Sequence, residues 1–425
     1  MRQSISLVLV GSLLIASGCN LLKHKEEADS GASSTTTTGA TTSETKGSGG
    51  SAGSEKTTDL EATESNDPSK GATSGCGWPT DDVTKDLTFT KGCTVMAKRS
   101  ITVRGGATVT FEEGVKVSFD TDTYIWVNYG KLVVKGTDAA PVVFTSANKS
   151  PAAGDWVGLG FKEKTMAGTS LDHLIIEYAG SKSDNGVGGI QIEAMRQGGR
   201  ISITNSTIRS GAQFGLVAEK NASFAKFENN TFKDNKKGSL DVVAGVLGSV
   251  GKGNTFNDPI HVTESKIDQT TTWPPFDVPV IVDGNIKIES DSSVPTLTIA
   301  DKTVVKMGQD RSFDIKEGAL VAKNVTFTSA APSPSPGDWV GFFVRKKSNG
   351  THIENCTFEY FGSNTDNGEG AITFYNVNAK DLSGVTIANN TFSKGKQAAL
   401  ASDDHDCTPF KNNKADGVPL CTPKN

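Results

Sequence analysis

The residues best suited to chemistry sit in one short run, YIWVNYG (124–130). Strand alternation there sends Tyr124, Trp126 and Asn128 to one side and Ile125 and Val127 to the other. Extending the same parity backwards adds Asp120 and Asp122 to the outward set. Aromatic rings beside carboxylates on a rigid strand suit sugar recognition, because ring faces stack on the sugar and carboxylates accept its hydroxyl protons. Two carboxyls on alternate positions of one strand would lie about 7 Å apart. That falls within the roughly 6.5–9.5 Å at which paired acids hydrolyse glycosides with inversion. The run therefore predicts a ligand platform first and a hydrolytic pair second.

Other chemistry-bearing residues read as structure. Asp155-Trp156 and Asp338-Trp339 each follow a loop of Pro and Ser, and Glu177-Tyr178 and Glu359-Tyr360 precede Asp184-Asn185-Gly186 and Asp366-Asn367-Gly368. Asp-Asn-Gly is turn chemistry, since Asn-Gly readily takes positive φ. A calcium ion there would need six or more oxygens, and one Asp with an amide falls short, so no cofactor is expected. Asp403-Asp404-His405-Asp406 reads as a solvated loop. His24, His173, His261, His352 and His405 are scattered and no CxxC occurs, which excludes a zinc spacing.

What positions these residues is a duplication. FTSANKSPAAGDWVG (144–158) returns as FTSAAPSPSPGDWVG (327–341), and EYAGSKSDNGVGGI (177–190) as EYFGSNTDNGEGAI (359–372). A finer repeat, Asn-x-Thr-(Phe/Ile), begins at Asn205, Asn229, Asn324, Asn355 and Asn389. Between these marks lie short alternating runs such as Thr108–Phe111 and Leu297–Ile299, punctuated by Gly and Asn. Coils of about 24 residues with three short strands stack at about 4.8 Å, so like side chains form ladders. Phe or Ile fills the core, Thr favours strand, and Asn tolerates a left-handed corner while its amide bonds its equivalents. The prediction is an all-β parallel β-helix solenoid of two tandem homologous halves, 76–258 and 259–425 with a terminal cap.

Solenoid ends fray and need caps. Cys76 and Cys93 bracket the start of the folded region, and Cys407 and Cys421 its end, so two local disulfides are expected. Cys356 is left over as an unpaired core residue. Aligning Gly130 with Gly318 pairs the Tyr124/Trp126/Asn128 face with Ser312, Asp314 and Lys316, so the two copies differ on their outer side.

Residues 1–18 form a positive start, a short apolar stretch and a small-residue approach to Cys19, which resembles a bacterial lipoprotein signal. Cys19 would be acylated, an anchor to the bilayer rather than a span. Residues 19–75, rich in Thr, Ser and Gly, lack the apolar side chains needed to order them and predict a disordered linker reaching about 40 Å. Asn20 after Cys19 favours outer over inner membrane, with the rod periplasmic or surface-exposed. A net charge of −5 argues against nucleic acid.

The run GATVTFEEGVKVSF, then GKLVVKG, PVVFTS, GDWVG, IIEYAG and NSTIRSG, resembles bacterial right-handed parallel β-helix proteins of the pectin-lyase-like superfamily. The resemblance spans roughly residues 85–425. It implies the right-handed solenoid, and activities that range from adhesion to polysaccharide lysis or hydrolysis. No catalytic motif of those enzymes has a counterpart here. The expected role is non-catalytic glycan or protein binding by a surface-tethered, monomeric rod. A polysaccharide lyase or hydrolase is the alternative, and an architectural spacer the third.

Overall fold

The computed structural model describes residues 73–181, 188–193, 200–363, 370–402 and 404–422. Cys19, the linker before residue 73, both Asp-Asn-Gly loops (Asp184–Gly186 and Asp366–Gly368) and Asp403 lie outside them. No helix among the described residues is long and apolar enough to cross a membrane.

Short strands with inward apolar and outward polar positions stack in parallel register throughout. Thr108–Phe111 buries Val109 and Phe111, and Tyr124–Val127 buries Ile125 and Val127. Successive coils superimpose like residues: Phe89 pairs with Phe111, their rings stacked at 4.6 Å, and Phe327, Phe358 and Phe392 stack at 5.0 and 4.9 Å. One apolar core runs from Val83 to Phe410. The fold is thus an all-β parallel β-helix.

The Asn corners have a specific backbone reason. Asn205, Asn229, Asn324, Asn355 and Asn389 all hold φ between 52° and 58°, a left-handed conformation that Asn tolerates better than most side chains. Asn229 Nδ2 donates to Asn205 Oδ1 at 3.2 Å. The longer ladder, however, is built by the residue after each corner. Asn230 Oδ1 accepts from Ser206 N, and Asn254 Oδ1 from both Asn230 N and Nδ2. In the second half Asn390 and Asn413 repeat the arrangement, and Cys356 N donates to Asn390 Oδ1. Cys356 therefore fills a ladder position, buried and unbonded to other cysteines. Burial pushes its thiol up to about 11.

The two halves are not stacked face on face. The first-copy strand Val142–Ser146 lies in a seven-stranded sheet, whereas its homologue Thr326–Ser329 lies in the thirteen-stranded sheet that runs through both halves. Gly158–Phe161 lies in the thirteen-stranded sheet, and its homologue Gly341–Val344 in a six-stranded one. The second copy is thus set round by one face of the prism. The shift occurs at a 3₁₀ turn, Ala244–Ser249, whose Ala244 carbonyl accepts from Nε1 of the fully buried Trp273. Among the described residues only the long sheet continues across this seam, through Leu240 paired with Ile260.

Cys76 is bonded to Cys93 at the first end and Cys407 to Cys421 at the last. Around the latter, Ser402 Oγ donates to Asp404 Oδ1, Thr408 N to Asp406 Oδ1, and His405 lies 3.3 Å from the Thr422 carbonyl.

Candidate ligand groove on the outer face

The repeated Asp-Trp corners are structural in both copies. Trp156 and Trp339 are fully buried and donate Nε1 to the carbonyls of Glu177 and Glu359. Asp155 Oδ2 accepts from Ser146 Oγ at 2.6 Å and Ala152 N at 2.9 Å; Asp338 Oδ2 does the same with Ser329 Oγ and Ser335 N. Burial disfavours the Asp155 anion, but the hydrogen bonds from Ser146, Ala152 and Asn148 outweigh it and hold the carboxyl below its usual range. Glu177 is held by Thr145 and a two-pronged Arg209, and Glu359 by Thr328 and Lys394.

The outward run of the first copy is only partly as its parity suggests. Tyr124 and Trp126 do face outward, stacked on each other at 4.4 Å, and Asn128 is exposed just beyond the strand. Asp120 and Asp122 do not share that face, because the strand begins at Tyr124. A turn precedes it, with Asp122 at φ 55° and Thr123 buried. Period-two parity fails wherever a left-handed residue reverses the chain. Asp122 accepts from Ser181 Oγ, and the second copy repeats the bond between Asp310 and Ser363. Asp120 caps its own turn by accepting from Thr121 N. Trp126 is also enclosed: Lys162 Nζ sits 3.8 Å from its ring centroid and is ion-paired with Glu193, and a Cβ at Gly160 would meet the indole at 2.8 Å.

The homologous face of the second copy is open. Asn285, Lys287, Ser312, Asp314, Phe343, Arg345 and Tyr375 line a groove of about 230 Å³. Lys287 lies in the strand Ile286–Glu289, Asp314 in Ser312–Glu317 and Phe343 in Gly341–Val344, and their register places Lys287 against Asp314 against Phe343. Arg345 grips Asp314 with Nε and Nη2 at 2.7 and 2.9 Å and lies 4.3 Å from the Tyr375 ring centroid. That bidentate bond raises the guanidinium further above its ordinary range.

Strand register, with the copies aligned on Gly130/Gly318 before the loop and on GDWVG after it, explains the difference between faces. Arg345 replaces Lys162, Asp314 replaces Trp126, Phe343 replaces Gly160 and Tyr375 replaces Glu193. In each copy a cation lies between an aromatic ring and a carboxylate, but in opposite order. Where the wide indole stood, the short Asp314 leaves space, and the groove results. Extending the alignment past GDWVG would have found Phe343, Arg345 and Tyr375; the outward run supplies only Ser312 and Asp314 of the groove.

A second group lies on the outer side of the long sheet at the seam. His261 pairs in register with Asp241, and His261 Nδ1 lies 2.5 Å from Asp283 Oδ2. Desolvation holds the Asp241 carboxyl above its usual range, opposed by His261 and Lys237 and reinforced by Asp283. Phe214 meets the His261 ring edge-on at 5.1 Å. Among the described residues no three His, Cys, Asp or Glu side chains gather as a metal site.

The fold and the repeated coils define a class, and the family comparisons agree with it. The description "pectate-lyase like beta helix domain" matches residues 81–191, and "right handed beta helix region" matches residues 170–256. Together the two matches cover residues 81–256, and they describe the right-handed parallel β-helix fold seen in this chain. Among solved structures it is similar to the catalytic unit of a thermostable GH87 α-1,3-glucanase from Streptomyces thermodiastaticus strain HF3-3. That similarity has 11% identity and a TM-score of 0.34, over 84% of this chain and 70% of that one. No curated protein sequence matches.

Proposed function

We propose that this protein is an envelope lipoprotein, acylated at Cys19 and held off the membrane by its linker, whose β-helix binds glycans without cleaving them. The observation that carries the reading is the second-copy groove, where aromatic edges, amide and charged groups converge on a rigid sheet face. Such convergence of apolar walls with a few fixed polar groups is how binding sites combine affinity with orientation. The Trp126 face is the weaker platform, since Tyr124 and Lys162 already occupy its indole.

The test applies purified full-length chain to a panel of immobilised polysaccharides and follows both retention and chain length. Retention with unchanged chain length, weakened about tenfold by Tyr375→Ala, supports the reading. Loss in Trp126→Ala with Tyr375→Ala unaffected would move the site to the first copy.

The enzymatic alternative has one observation in its favour, the Asp241–His261–Asp283 group. A carboxylate-oriented imidazole beside a carboxyl kept toward its neutral form is the pairing that acid–base catalysis uses. Shortening of any polymer, abolished by His261→Ala, would establish it in place of simple binding.

A further inference from the structure

Resting on that groove reading, we propose that the groove selects an anionic group, a carboxylate or sulfate carried on a polymer, and that Lys287 is its principal contact. The argument is a charge account of this face. Arg345 is neutralised by Asp314, Lys316 by Glu289 at 3.0 Å, and Lys347 by Glu317 at 2.8 Å. Lys266 also lies within 3.8 Å of Glu289. Lys287 is exposed, lines the groove and has no carboxylate within ion-pairing distance among the described residues. Glu289, two residues along the same strand, also attracts Lys287 at longer range but makes its close contacts to Lys316 and Lys266. Lys287 thus faces the groove without a close ion pair among the described residues.

The hydrogen-bonding capacity there has the same sign. Asn285 Oδ1 is engaged by Ser312 N at 3.1 Å and Ser312 Oγ at 3.3 Å, which orients the amide so that its Nδ2 donors remain for a ligand. Asp314, the lining carboxylate, has both oxygens engaged by Arg345. The groove thus offers an ammonium and amide hydrogens, with acceptors limited to the Tyr375 hydroxyl and the Asp314 lone pairs that Arg345 leaves. An oxyanion accepts from the ammonium and the amide together in charge-assisted hydrogen bonds, a gain that a neutral sugar does not share.

The first copy shows what the exchange accomplished. The position of Lys287 is held there by Thr102, and the groove volume by the Trp126 indole resting over Gly160. Both the free cation and the space beside it belong to the second copy alone, so the selectivity resides in one half of a duplicated rod.

The experiment measures retention of the full-length chain on immobilised hyaluronate (carboxylate only), heparin (carboxylate and sulfate) and dextran (neutral). The comparison is wild type, Lys287→Ala, Lys287→Glu and, on the other sheet face, Lys306→Ala. We expect retention on hyaluronate, heparin or both, weakened at least tenfold by Lys287→Ala, abolished by Lys287→Glu and unchanged by Lys306→Ala. Raising the salt from 50 to 300 mM should weaken it as well. Hyaluronate retention assigns a carboxylate, and heparin retention alone assigns sulfate. Dextran retained as well as the polyanions, or polyanion binding indifferent to Lys287, overturns this inference and leaves glycan binding standing. Retention on none of the three overturns both. Far-ultraviolet circular dichroism confirms that each variant is folded.

Discussion

Replacing Asn230 by Ala tests whether the inner amide ladder holds the coils in register. Asn230 is fully buried. Its Oδ1 accepts from Ser206 N at 3.0 Å, and its Nδ2 donates to the Ile203 carbonyl at 2.8 Å and Asn254 Oδ1 at 3.0 Å. Alanine leaves Ser206 N–H and Ile203 C=O buried without those partners. Asn254 Oδ1 still accepts from Asn230 N, so it is not orphaned. Two unsatisfied buried groups at about 1–3 kcal/mol each give a loss of roughly 2–6 kcal/mol. For a folded region of this length the unfolding entropy is about 0.7 kcal/mol/K, so the melting temperature should fall by about 3–9 °C. Asn230→Asp keeps an acceptor for Ser206 N but turns a buried carboxylate towards the Ile203 carbonyl and Asn254 Oδ1, both acceptors, and should cost more than alanine at pH 7. The assay is thermal melting followed by circular dichroism, with hydrogen exchange localising the effect to neighbouring coils, since solenoids unfold by local units. A shift below 1 °C for Asn230→Ala, without added exchange around residues 203–206, would refute the claim that the ladder carries stability.

Three further outcomes follow from other sites. Trp156→Ala and Trp339→Ala should each cost about 3–5 kcal/mol in denaturant unfolding, because each removes a fully buried ring from a packed corner. Asp241→Asn should stabilise the fold at pH 7. The carboxyl is held above its unfolded range, so its ionised form opposes folding at neutral pH, and the gain should fade as pH drops below about 4, where both states are protonated. Melting curves at pH 3 and pH 7 compare the two, and an equal gain at both would refute it. Cys356, buried with a thiol near 11, should resist alkylation at pH 8 until denaturant is added, as read by mass mapping of its peptide.

Much of this protein is determined by its sequence alone, because the determinants are local and repeated. Alternation in YIWV places Ile125 and Val127 inside, and each corner Asn sits where the backbone turns left-handed; both depend only on near neighbours along the chain. The duplicated GDWVG blocks likewise declare two copies of one unit. What the tertiary structure decided are relations between coils, which stacking register sets and no local pattern encodes. Asp122 leaves its presumed strand for a turn and meets Ser181, far along the chain. The second copy is set round by one face at Ala244–Ser249, a shift invisible to an alignment that pairs the copies residue for residue. The groove exists because Asp314 lies between Lys287 and Phe343 on neighbouring strands, and Lys287 has no close ion pair among the described residues because the nearby carboxylates contact other cations. Composition supplies the charges; only the stacking of coils determines which of them remains unpaired.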